Sequence, residues 1–170
     1  MSKRAFKKYI KGLKKKDLEV QLEDLYERFD EVRVYYNFVF NPNEDKLVRE
    51  AKMKISKEYF PPNKRKPKTR RSIAQKFIKH FLKLEMDPFA LADVMLYNIE
   101  IAQTFAASKE YMPESFEKSM LNSFEQAVTY IIENNMDNEF GQRIHKIETE
   151  AENLHWGNTY AFNKLADQFT

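Results

Sequence analysis

The chain contains no cysteine. Disulfides, thiol nucleophiles and Cys-ligated zinc are therefore excluded, and the fold must be held by packing alone. Glycine is nearly as scarce, with Gly12, Gly141 and Gly157 the only three. Glycines so far apart cannot form a phosphate-cradling loop, a dinucleotide fingerprint or a nucleophile elbow, each of which sets them a few residues apart. The same shortage removes the closely spaced turns of an all-β fold. No apolar run approaches the ~18 residues of a membrane-spanning helix. The opening MSKRAFKKYIKGLKKK is basic but lacks the continuous apolar stretch and cleavage site of a signal peptide. These absences describe a soluble, cytoplasmic protein with no membrane span and no cofactor.

Large apolar side chains, by contrast, are plentiful. Fourteen Phe and nine Tyr contribute to a hydrophobic fraction of 42% in 170 residues, enough for one domain to enclose a core. Apolar residues recur at three- and four-residue intervals almost throughout, which predicts an all-α fold. We expect a single-domain bundle or array of about eight helices over residues 1–170, with basic helices over 1–60, a basic loop over 61–72 and a bundle half over 73–170.

In chain order, Ser2 caps a first helix with Phe6, Tyr9, Ile10 and Leu13 on one face and Lys7, Lys8, Lys11 and Lys14 on the other. Burial of Phe6 and Ile10 against the chain's own domain is preferred to membrane binding. Leu18, Leu22, Leu25, Tyr26 and Phe29 form the stripe of a second helix. Residues 31–41, EVRVYYNFVFN, are rich in strand-forming side chains. They have no second strand to pair with, so they are read as a short buried helix ended by Asn41-Pro42. A helix over 43–59 and another from Ser72 follow. Asp87-Pro88, an N-cap with proline at N1, opens a helix that is apolar on several sides and therefore central. Within it Asp93 and Glu100 need partners or water. Pro113 opens the next helix, and Asp137 caps a last long one running to about Gln168, in which Gly157 marks a kink or a close helix contact.

Charge is divided unevenly. Residues 1–86 hold 24 Lys and Arg against 12 Asp and Glu, whereas residues 87–170 hold 5 against 14. The boundary is approached through PPNKRKPKTRRS at 61–72, where three prolines forbid a helix or central strand. Lys64, Arg65, Lys66, Lys68, Arg70 and Arg71 then place six cations within eight residues. They must stay solvated or meet an anion, either phosphate or an acidic protein surface, and they are the candidate partner contact.

One pattern suggests a metal. Glu152-x-x-His155 is the i, i+3 pair used by carboxylate-bridged metal bundles, and Glu148 lies one turn before it. Such a site needs the motif twice, and no second Glu-x-x-His occurs. No metal and no catalytic set are assigned.

The stretches SKRAFKKYIKGL, EDLYERFDEVRVYYNFVFNP, KISKEYFP, RRSIAQKFIKHF and DPFALADVMLYNIEIAQTF together resemble a family of small bacterial proteins known only as a domain of unknown function. The resemblance covers roughly residues 2–106 and implies an intracellular, single-domain protein. It brings no activity, cofactor or catalytic residue.

Taken together, these features predict a non-enzymatic helical scaffold for an unidentified macromolecular partner, protein in preference to nucleic acid. Head-to-tail homo-oligomerisation through the unlike halves is a further expectation. The rival readings are nucleic-acid binding through the basic N-terminal half, and a metal-binding helical-bundle enzyme.

Overall fold

The computed structural model describes residues 2–169, and among these it contains nine α-helices and no strand. The all-α expectation holds. The chain forms two compact units, residues 1–43 and residues 44–170.

The first unit consists of α1 (Lys3–Lys11), α2 (Lys15–Arg28) and α3 (Asp30–Phe40). Ser2 caps α1 as expected, its hydroxyl accepting from Ala5 N at 3.2 Å. α2 packs against α3 through a run of rings: Tyr26 meets Tyr36, and Tyr36 stacks on Phe40 at 6.1 Å. Residues 31–40 are helical and Asn41 ends the helix as expected, but the expected burial is absent, since no residue of α1, α2 or α3 is buried. Phe6, too, is left half exposed. Amphipathic spacing fixes which face is apolar, but three short helices have too little volume to enclose it.

The second unit contains α4 (Glu44–Tyr59), α5 (Arg71–Lys83), α6 (Pro88–Ala106), α7 (Glu114–Glu133), α8 (Asp137–Asn153) and α9 (Thr159–Ala166), closed by a 3₁₀ turn, Asp167–Phe169. α6 is the central element, packed against α4, α5, α7 and α8. Its start is as expected: Asp87 Oδ1 accepts from Ala90 N at 3.1 Å and Pro88 stands in the first turn. Leu91, Val94, Leu96 and Ile99 on α6 are each at most 1% exposed, which accounts for apolar residues on several of its sides. At the α7–α9 end, Phe124 stacks on Phe162 at 4.9 Å, and Trp156 meets both Phe162 and Phe116.

The expected single helix over 137–168 is two. α8 closes with Trp156 N donating to Ala151 O and His155 N to Glu152 O, the paired bonds of a Schellman cap. His155 takes the left-handed position, φ 53°, and Gly157 does not. The break therefore falls ahead of the glycine, where buried Trp156 is drawn back under the helix end. The ends of α5 and α7 repeat the device, with Glu85 and Asn135 left-handed and Met86 and Met136 buried behind them. Glu85 is the least suited of the three, because a side chain with Cβ is strained there and glutamate gains no local hydrogen bond in return. Glu85→Gly is expected to stabilise the protein by about 0.5–1 kcal/mol, the relieved strain outweighing glycine's extra unfolded-state entropy. Urea denaturation checks this through the midpoint, with an unchanged slope.

Candidate functional site

Residues 60–70 form a strap between α4 and α5, and Glu58 at the end of α4 pins it. The Glu58 carbonyl accepts from Lys68 N at 2.9 Å and Thr69 N at 3.1 Å, so the returning strand is tied to the outgoing helix. Its carboxylate accepts from Arg70 Nε at 2.8 Å and Nη2 at 2.9 Å, a bidentate pair. The hydrogen bond from Arg70, outweighing burial, holds the Glu58 carboxyl below its ordinary 4.5. Pro61, Pro62 and Pro67 stiffen the strap between these ties, and Asn63, Lys64 and Thr69 turn it through left-handed backbone.

The six sequence-predicted cations do not act as one group. Arg70 is neutralised by Glu58. Arg71 is the first residue of α5 rather than part of the loop, and its side chain reaches α7, donating to Ser123 Oγ at 2.8 Å. Partial burial lowers its pKa from the usual guanidinium value. These two arginines anchor the strap. Lys64, Arg65, Lys66 and Lys68 are exposed, with no ion pair among the described residues. Arg65, Lys66 and Lys68 join Lys57 and the Pro61–Pro62 wall around a pocket of about 280 Å³. The net result is a concave basic surface on a pinned backbone, able to take carboxylates or phosphates without first ordering a loop.

The second polar site was only half legible in the sequence. Asp93 and Glu100 of α6 find their partner in Arg143 of α8, which bonds Glu100 through Nε at 2.5 Å and Nη2 at 2.8 Å, and Asp93 through Nη1 at 2.7 Å. Lys52 of α4 takes the other Asp93 oxygen at 2.6 Å and lies over the Tyr97 ring. Burial alone would raise Asp93, but the hydrogen bonds from Lys52 and Arg143 hold it below its ordinary 3.8. All four carboxylate oxygens are engaged, so the cluster ties α4, α6 and α8 together and offers no free base. Arg143 was missed because it lies 43 and 50 residues from its partners, beyond any local periodicity.

The Glu152–His155 pair does not share a helix. His155 lies past the end of α8, and Glu152 Oε1 accepts from Asn163 Nδ2 at 2.8 Å. Glu148 stays on α8 beside Thr149. Among the described residues no group of three His, Asp or Glu side chains is placed to hold a metal ion. Among them, too, no helix is long and apolar enough to cross a membrane.

The fold and strap thus define an all-helical protein with a preformed basic surface and an internally saturated ion cluster. The chain belongs to the family of unknown function DUF6155, whose family model matches residues 1–170. The match extends the resemblance seen over residues 2–106 to the whole chain. No curated protein and no solved structure matches significantly.

Proposed function

We propose that this is a non-enzymatic, cytoplasmic scaffold protein that binds an acidic protein partner through the strap. The observation that supports this most is the division among the cations: two are spent on anchoring, and four are exposed, three of them, Arg65, Lys66 and Lys68, around a pocket. Nucleic acid is the second reading, favoured by the eight cations and no acid of residues 2–16. Against it, residues 44–170 carry 19 Lys and Arg and 19 Asp and Glu, so the unit bearing the strap is neutral as a whole and its positive field is local to the strap, an extent that suits a short acidic segment better than a long nucleic acid.

The test is affinity capture with the native protein and with a Lys64→Gln, Arg65→Gln, Lys66→Gln, Lys68→Gln variant, each with and without nuclease. Arg70 and Arg71 are left intact because they are structural. The variant is expected to fold with a stability change within about 0.5 kcal/mol, as for other exposed positions. A nuclease-resistant protein lost from the variant fits the proposal. An identical set of captured proteins from both forms contradicts it, and a nuclease-sensitive set moves the assignment to nucleic acid.

A further inference from the structure

The first unit has an unpartnered apolar surface. Among the described residues, eleven of the seventeen exposed large hydrophobic ones lie within residues 2–43, where nothing is buried. A surface so dense in apolar side chains marks an interaction site. Its concave part is a groove of about 350 Å³ walled by Leu22 and Tyr26 of α2 and Tyr36 and Phe40 of α3.

Charge indicates what fits there. Glu19, Glu23 and Glu27 line the groove, all on α2 and four residues apart. They therefore extend over about 12 Å at 1.5 Å per residue. Glu19 has a long contact with Lys15 at 3.6 Å, whereas Glu23 and Glu27 have no ion pair among the described residues. The occupant should be a short amphipathic helix with an apolar face and cations at the same interval. An anionic membrane or a nucleic acid would be repelled by this row of carboxylates.

The chain carries such a helix. α1 has Phe6, Tyr9 and Ile10 on its apolar face and no acidic residue, and Lys3, Lys7 and Lys11 repeat at four-residue spacing. They too extend over about 12 Å. Phe6 and Tyr9 are each 49% exposed. Within its own chain α1 does not fill the groove. Tyr9 Oη accepts from Gln21 Nε2 at 2.7 Å, and Gln21 lies on α2 away from the groove lining. By helix geometry it is roughly 160° round α2 from Glu23 and roughly 120° from Glu27.

We propose that residues 1–43 are a self-association module in which α1 of one copy lies in the α2–α3 groove of a second. Lys7 and Lys11 of each copy pair with Glu23 and Glu27 of the other. The exchange is reciprocal about a two-fold axis, so it closes as a dimer rather than propagating. The apolar face of α1 and the groove wall cover each other, and the lysine stems add to the contact while their charges reach the carboxylates.

The experiment is sedimentation velocity on the full chain over a wide concentration range, with Lys7→Glu, Lys11→Glu and Glu23→Lys, Glu27→Lys variants alone and mixed. All four positions are exposed, and circular dichroism verifies that each variant keeps its helicity. The native chain is expected to dimerise, each variant alone to dimerise about tenfold more weakly or worse, and the mixture to recover association as a heterodimer. A native chain that stays monomeric, a dimer indifferent to the reversals, or a mixture that fails to recover overturns the proposal. So does sedimentation of the native chain with phosphatidylserine vesicles without self-association, which would make α1 a membrane helix.

Discussion

Phe162→Ala is expected to cost about 3–5 kcal/mol, the usual range for emptying a buried aromatic site. Phe162 is fully buried, stacks on Phe124 at 4.9 Å and meets Trp156 at 5.6 Å. Truncation removes the ring that joins α9 to α7 and the Trp156 turn. The cavity cannot collapse easily, because Trp156 is held by the Schellman bond from its own amide to Ala151 O. Equilibrium urea unfolding measures the effect. A loss below about 1 kcal/mol would mean that α9 is an accessory to the core rather than part of it.

Arg143→Met should cost about 2–3 kcal/mol at neutral pH, less than a fully buried pair because the cluster is about a quarter exposed to water. The methionine keeps much of the packing volume but leaves Glu100 on α6 without its cation and Asp93 with Lys52 alone. The pH dependence separates this from a simple packing defect. Asp93 has a depressed pKa in the folded protein, so its contribution is complete above about pH 4 and is lost as pH falls through the folded value. In the variant Asp93 loses one of the two cations that depress it. The penalty should therefore be largest near neutrality and shrink on acidification, as the carboxylates protonate in both proteins. Equal destabilisation at pH 7 and in acid would contradict the electrostatic account.

Local rules made most helices readable. The caps at Ser2 and Asp87 and the all-round apolar character of α6 depend only on nearby residues, and they appear where expected. What escaped the sequence was non-local. The last helix was expected to run from Asp137 to about Gln168, past the point where the backbone turns back at His155, because side-chain period does not register a left-handed residue. The exposure of Phe40, 74%, could not be read from a pattern that identifies its apolar neighbours but not what covers them. The contrast between basic and acidic halves was visible, yet the contacts divide the chain at residue 43, and basic α4 packs on α6, with Lys52 bonded to Asp93. Unlike charges do meet, within the second unit.

The basic loop shows the same limit on a smaller scale. Its prolines and cations announced a solvated segment, and four of the six cations fit that description. Glu58 was the missing residue. It lies twelve positions from Arg70 as one of four acids on α4, and nothing local distinguishes it from Glu50.

The binding role of the strap is tested most directly by titrating a fluorescent oligoglutamate peptide into the native protein and into the four-glutamine variant at rising salt. We expect binding to the native protein that weakens steeply with salt, and an affinity at least about tenfold lower for the variant, a difference of about 1.4 kcal/mol. Equal affinity of the two proteins, or no binding to either at low salt, would contradict the account.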